Sequence, residues 1–343
     1  MTEFFTQLEA HSQRLFNLLD AFQQASILVV GDLALDEFVS GEVERLSREA
    51  PVLILRHEKT VQIPGGGGNA VYNLAKLGAN VKVAGLIGND PQGEALKEIF
   101  ARAGVDTTGM IAERDRATVT KTRISGHARQ SVTQQIVRLD RKSDSVPSED
   151  SLSQLSNFIQ QSIPEVDAVL CSDYGDGVLS LPVINAALAH RQIMVDAQKD
   201  LSRYRGATLF TPNLPEAEAA VGYSITNDDL LHQAGNDLLQ LTQAQQILIT
   251  RGEKGMSLFS KTGVIDHIPP FNRTDVFDVT GAGDTVVAAL TLSLCAGGTP
   301  WEAAVLGNLA ASIVVRQFGT ATTNVEEMQV GLQTLLDDPS LLE

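Results

Sequence analysis

Cysteine, basic side chains and long apolar runs are all scarce in this chain, and each scarcity removes a class of protein. Only two cysteines occur among 343 residues, Cys171 and Cys295, each in an apolar stretch without a second thiol nearby. Neither a zinc framework nor a disulfide scaffold is readable from them, and a reducing compartment fits best. Lys and Arg number 26 against 42 Asp and Glu, a formal charge of −16, and no cluster of cations interrupts the excess. Such a surface repels phosphate backbones and anionic bilayers at long range, so neither nucleic acid nor a membrane is an expected partner. No stretch approaches the roughly 18 to 20 apolar residues of a membrane span. The first 25 residues are acidic and spaced like an amphipathic helix through Phe5, Leu8, Leu15, Leu18, Leu19 and Phe22, without the basic start of a signal peptide. They are predicted to form an N-terminal helical extension of a cytoplasmic protein.

What is present is the material of one large α/β body. From Ile27 the text alternates short β-branched runs (ILVVGD, VKVAGLIG, AVLCSD, IMVDA, QILITRG) with segments of helical period such as NAVYNLAKLGA. That alternation predicts a parallel sheet covered on both faces, as one domain over residues 26–343. Residues 34–63 and 117–140 break the rhythm. They alternate polar with apolar residues and are rich in Val, Thr and Ile, as expected of strands wet on one face. Ligands of open α/β sheets bind beyond the carboxyl ends of the strands, so a small sheet inserted after the first strand would overhang that edge as a lid. An ordinary exposed sheet accounts for the same pattern.

An acidic protein that takes an anionic ligand needs short-range donors. The sharpest such feature is Asp278-Val279-Thr280-Gly281-Ala282-Gly283-Asp284-Thr285, followed by the small-residue helix VVAALTLSL. Small residues at a helix start leave backbone N–H groups unobstructed, and the helix dipole adds positive character, so Gly281, Ala282 and Gly283 make an anion hole. Asp284, in the first turn, is placed to accept a proton from a hydroxyl attacking that anion. A second feature is Pro64-Gly65-Gly66-Gly67-Gly68-Asn69, where the backbone is bare and Asn69 offers a donor and an acceptor to a polar ligand. A third is Thr211-Pro212-Asn213-Leu214-Pro215-Glu216, whose spacing an ordinary helix capping box explains equally well. Thr250-Arg251-Gly252-Glu253-Lys254-Gly255 follows a strand and by itself reads only as a turn.

Together these strings resemble the signatures of the PfkB, or ribokinase-like, carbohydrate kinases. The resemblance implies a three-layer αβα Rossmann-like domain with a small β-sheet lid, ATP and Mg²⁺ as co-substrates, and phosphoryl transfer to a sugar hydroxyl. It makes Asp284 the general base, with Gly281, Ala282 and Gly283 at the transferred phosphate. Asn213 and Glu216 would arrange Mg²⁺ through water, and Thr250, Arg251, Gly252 and Gly255 would flank the nucleotide. Asp278 and Thr280 match positions near the phosphates that border a monovalent-cation (K⁺) site. Asp36, Gly65, Gly66 and Asn69 match the sugar site.

Longer matches, among them LSREAPV, QQIVRLD, SDYGDGVLS and FDVTGAGDT, resemble the kinase half of the bifunctional enzymes of lipopolysaccharide heptose synthesis. That half phosphorylates the anomeric hydroxyl of D-glycero-β-D-manno-heptose 7-phosphate. The H-x-G-H motif of the adenylyltransferase half does not occur here, so a separate adenylyltransferase in the same pathway is expected. A sugar phosphate needs cations at its distal end, and Arg45, Lys121, Arg123 and Arg138 fall in or near the lid segments. Solvated strand-face charge is the commoner fate of such residues. Asp196-Ala197-Gln198-Lys199 stands where the heptose enzymes have Asp-Pro-Lys, which leaves another sugar, sugar phosphate or nucleoside open as acceptor. A silent nucleotide-binding regulator is the alternative of another class. A homodimer paired through the lid is a further expectation.

Overall fold

The computed structural model describes residues 2–338 except 129–132, 272–277 and 318. Parts of the predicted segments therefore lie outside the described residues: residue 1 of 1–25, 129–132 of 117–140, and 129–132, 272–277, 318 and 339–343 of 26–343. In chain order the strands are β1 (Ser26–Gly31), β2 (Leu33–Leu46), β3 (Leu53–Gly66), β4 (Asn80–Gly88), β5 (Asp106–Glu113), β6 (Val119–His127) and β7 (Gln134–Arg141). They continue as β8 (Ala168–Asp173), β9 (Ile193–Ala197), β10 (Leu209–Phe210), β11 (Gln246–Thr250), β12 (Met256–Ser260) and β13 (Ile265–Ile268). The helices are α1 (Thr2–Ala21), α2 (Gly67–Lys76), α3 (Pro91–Arg102), α4 (Glu149–Ser162), α5 (Leu181–Ala187), α6 (Leu214–Val221), α7 (Asp228–Thr242), α8 (Ala282–Cys295), α9 (Pro300–Val314) and α10 (Val325–Asp337).

Nine strands form one sheet in the order β13-β12-β11-β10-β9-β8-β1-β4-β5. All pairs from β5 to β11 are parallel, and β12 and β13 close the far edge antiparallel. Because side chains alternate along a strand, β1 splits its apolar residues between two cores. Ile27 and Val29 join the core under α1, α2, α3, α8, α9 and α10. Leu28 and Val30 join the one under α4, α5, α6 and α7. The result is a three-layer αβα body, as the alternating runs predict.

The 34–63 and 117–140 segments supply β2, β3, β6 and β7, a second sheet in the order β3-β2-β6-β7. Its central pair, β2 with β6, is parallel, and both outer pairs are antiparallel. β2 leaves the body directly after β1, and β3 returns directly into α2, so this sheet hangs at the carboxyl ends of the main strands.

The N-terminal segment is no loose appendage. Leu8, Leu15, Leu19 and Phe22 of α1 and the turn after it are fully buried in the main core. The helix is rotated slightly from the expected stripe, so that Phe4 rather than Phe5 is buried; its ring lies 5.8 Å from Trp301 and 5.9 Å from Phe271. Glu302 of α9, wholly buried, meets His11 Nδ1 at 2.9 Å and Arg14 Nε at 2.7 Å. Burial opposes ionisation of Glu302, but the Thr299 N–H, His11 and Arg14 hold its carboxyl down at about 2. No described helix is long and apolar enough to cross a membrane.

Candidate active site

Helix α8 begins without a side-chain cap. Gly281, its N-cap, holds φ at +79°, a left-handed conformation that favours glycine, and a Cβ there would stand 2.5 Å from Asn69 Nδ2. Three residues on, Asp284 is buried, 4% exposed. Both of its oxygens are held. Asn69 Nδ2 donates to Oδ2 at 2.8 Å and the Tyr174 hydroxyl donates to Oδ1 at 3.0 Å. Behind Asn69 the bonds run in one direction: Thr285 Oγ1 donates to Asn73 Oδ1 (3.0 Å), and Asn73 Nδ2 donates to Asn69 Oδ1 (3.1 Å). This chain fixes both amide orientations and spends the last donor on the carboxylate. Burial pushes the Asp284 carboxyl up to about 6, with Asn69, Tyr174 and the Lys121 charge acting the other way. A buried carboxylate with a pKa near neutrality is a suitable proton acceptor.

Two cavities meet at α8. The larger, about 460 Å³, is mostly apolar and bounded by Thr250, Gly252, Gly255, Phe271, Ala282, Gly283, Asn308 and Val315 among others. The smaller, about 170 Å³, is polar and lined by Asp173, Tyr174, Asp196, Gln198, Asn213, Glu216, Gly281, Gly283 and Asp284 among others. Thr250 and Gly283 border both. A Cβ on Gly283 would meet nothing within 4 Å, so the open side of the first helical turn faces the junction. An elongated ligand with an apolar head and an anionic tail fits this pair of cavities, its tail on the helix N-terminus.

The polar cavity is rich in negative charge. Asp196 keeps some surface open to it, yet burial, then the charges of Asp284 and Glu216, push its carboxyl well above the ordinary carboxylate range. Burial also raises Glu216, against the Asn213 N–H that it accepts. Uncompensated carboxylates at a phosphate-sized hole fit a divalent cation. Among the described residues no three acidic, imidazole or thiol groups converge closely enough to chelate one directly, which suits Mg²⁺ retaining several waters. Asn213 and Glu216 form a complete capping box on α6, both bonds 2.9 Å, and their side chains border the cavity as well. The two readings of that string are compatible.

The overhanging sheet adds a charged ceiling. Asp36 faces Lys121 across β2 and β6, and Phe38, Arg123 and Arg138 form the next row, so these side chains share one face. Arg123 Nη1 binds Asp36 Oδ1 at 2.7 Å, and its guanidinium lies 5.2 Å over the Phe38 ring. Lys121 Nζ lies 5.8 Å over the Tyr174 ring. Gly65 leaves room for the Asp36 carboxylate, which a Cβ would approach to 2.7 Å, and Gly66 takes φ +54° in the turn into α2.

Several predicted residues are placed or bonded otherwise than expected. Arg45 is exposed near the far end of β2, nine residues or roughly 30 Å of strand from Asp36. Arg138 is half exposed and forked onto Asp140 of its own strand, 2.7 and 2.8 Å. Arg251 turns away from both cavities to Ser257 and Asp228. Asn69, expected on the sugar, commits its amide to Asp284. Asp278 accepts the N–H groups of Thr280 (2.9 Å) and Gly319 (3.1 Å), bracing the loop before α8, and these bonds hold its carboxyl below the usual range despite partial burial.

Sequence reasoning missed Tyr174. It lies just past β8, whose carboxyl end adjoins that of β1, and that position was its available signal. Its loop is anchored by Asp32, a buried carboxylate accepting the N–H groups of Tyr174 (2.9 Å), Asp176 (2.9 Å) and Val178 (3.2 Å).

Comparison with known proteins places this geometry. Residues 24–328 match the family described as pfkB family carbohydrate kinase. The chain is 42% identical over 318 residues to the bifunctional protein HldE of Desulfatibacillum aliphaticivorans, covering 91% of this chain and 64% of that one. It is 45% identical over 317 residues to the bifunctional protein HldE of Trichlorobacter lovleyi, covering 90% and 63%. It thus spans less than two thirds of the length of these relatives. Among solved structures, phosphofructokinase-2 from Escherichia coli in complex with potassium superposes with a TM-score of 0.72 at 21% identity, covering 92% of this chain and all of that one. Ribokinase of Arabidopsis thaliana, complexed with ribose and ATP, superposes at 0.67 with 20% identity, covering 92% and 99%. Both likenesses concern the fold, which is ribokinase-like.

Proposed function

We propose that this chain, which belongs to the pfkB family of carbohydrate kinases, phosphorylates the anomeric hydroxyl of D-glycero-β-D-manno-heptose 7-phosphate with ATP. The family makes it a phosphotransferase with an alcohol group as acceptor. The observation that carries the reading is the placement of Asp284: buried, held at both oxygens, and set at an uncapped helix start where two cavities meet. The resemblance of the longer sequence strings to heptose kinases, and relatives named HldE at 42 and 45% identity, support the heptose.

In this reading adenine occupies the apolar cavity and the phosphates reach Gly283 through the Thr250 gap. Asp36 accepts a sugar hydroxyl, while Lys121 and Arg123 lie nearest for the distal phosphate. Asp284 takes the proton of the attacking hydroxyl; that oxygen bonds to the γ-phosphorus as the bridging oxygen leaves with ADP. Mg²⁺, held through water by Asn213, Glu216 and Asp196, would supply charge neutralisation on the phosphates. Asp278 and Thr280 are the candidates for a neighbouring K⁺ site. The four-stranded sheet closes as a lid and pairs with a second copy through Val137 and Leu139, which are 49% and 59% exposed.

ADP release across both heptose 7-phosphate anomers, fructose 6-phosphate, ribose and adenosine tests the substrate, with phosphorus NMR to locate the new ester and light scattering on the same sample to read the dimer. Fastest turnover of another acceptor overturns the heptose assignment.

Tyr174→Phe tests the base. Removing a donor that lowers the Asp284 pKa should shift the acid limb of the kcat/KM profile upward by about one unit, since a hydrogen bond to a charged group contributes about 1.5–3 kcal/mol. An unmoved limb means Tyr174 does not tune the base.

A further inference from the structure

His232 of α7 and His267 of β13 lie outside both cavities. Their Nε2 atoms stand 3.4 Å apart, with ring centroids at 5.6 Å and planes within 19°. Both rings are braced. The Phe259 ring packs edge-on against His232, 6.3 Å and 72°. His267 Nδ1 lies 2.9 Å from Ser257 Oγ, which also accepts from Arg251 Nη1 at 3.1 Å. A serine oxygen has two lone pairs, so it can accept from both Arg251 and an Nδ1-protonated His267. That tautomer leaves the His267 Nε2 lone pair facing His232, the arrangement in which a second group orients a metal-ligating imidazole. Asp228 stands one turn before His232 on α7, four residues away on the same face. Its carboxylate is held by Arg251 only at 3.5 Å.

Borderline divalent cations bind imidazole nitrogen at about 2.0–2.1 Å, so two such ligands of a tetrahedral ion stand about 3.4 Å apart. The spacing is already in place, and a modest rotation of the two rings brings their lone pairs onto one point. We propose that His232 and His267 form a surface site for a divalent cation of the Zn²⁺ class, completed by water and by Asp228, which lies outside chelating reach in this structure and is drawn from Arg251 on binding. Its nitrogen donors distinguish it from the oxygen-lined cavity at Asp284, which suits a hard ion. Recruiting Asp228 releases it from Arg251, the residue between Thr250 and Gly252 on the wall of the larger cavity, so occupancy is transmitted to nucleotide binding.

The test is a calorimetric titration of the chelator-treated full chain with ZnCl₂ in excess MgCl₂, which keeps the oxygen-lined cavity occupied. The wild type is expected to bind one Zn²⁺ more than either His232→Ala or His267→Ala, and Asp228→Asn is expected to bind at that site several-fold more weakly. Equal stoichiometry and affinity in wild type and His232→Ala would overturn the site. Should His267→Ala fold poorly, His232→Gln, at a partly exposed helix position, supplies the same comparison. Zn²⁺ should change KM for ATP at least threefold in the wild type and not in His232→Ala; equal responses would overturn the coupling.

Discussion

Asp284→Asn is expected to lose at least 10²- to 10⁴-fold in kcat, the usual contribution of a general base, and at the same time to be more stable than the wild type above pH 6. The two effects share one cause. Burial raises the carboxyl from 3.8 to about 6, so between those values the folded state binds a proton that the unfolded state has lost. Stability therefore falls as pH rises through that window, and above it the ionised base costs up to about 3 kcal/mol. Asn is neutral and keeps both contacts, accepting from Asn69 and donating to the Tyr174 oxygen. Thermal melts should show the variant about 3 °C higher at pH 8, with the gap closing near pH 4. Normal turnover with ATP bound removes Asp284 as the base. A variant less stable at every pH removes the account of its burial.

Deleting residues 1–25 is expected to abolish soluble folded protein. Leu8, Leu15, Leu19 and Phe22 are all fully buried, and four such side chains contribute about 6–12 kcal/mol, comparable to the 5–15 kcal/mol net stability of a whole domain. The deletion also strips Trp301 and Phe271 of cover and leaves Glu302 without His11 and Arg14. The graded version is Leu15→Ala, a core truncation that costs about 2–5 kcal/mol. Because Phe271 borders the larger cavity, the same helix supports the wall of that cavity. A soluble truncated chain with an unchanged melting temperature would show that the helix is dispensable.

Much of this was legible in local text. The α/β body was readable because a strand buried on both faces must be apolar throughout, as Ile27 to Val30 are, and the overhanging sheet because strands wet on one face must alternate. The helix start at Gly281 was readable for a similar reason, since small residues followed by an apolar helical run mark a helix N-terminus with its backbone N–H groups exposed. Side-chain direction was not readable. Arg251 sits inside a nucleotide-flanking turn by sequence, yet its guanidinium finds Ser257 and Asp228. Arg45 and Arg123 are equivalent as cations in a polar strand, but register sets one over Asp36 and the other a strand-length away.

The sequence by itself determined the class of the protein and singled out the helix start and the carboxylate that the proposed mechanism uses, because periodicity, small-residue runs and helix starts are properties of adjacent residues. Only the tertiary structure decided how that carboxylate is buried and held. Its two donors, Asn69 and Tyr174, come from α2 and from the loop after β8, 215 and 110 residues away in the chain. Hydrogen bonds of that length in sequence depend on which strand ends lie side by side, and that adjacency exists only once β1 and β8 are paired.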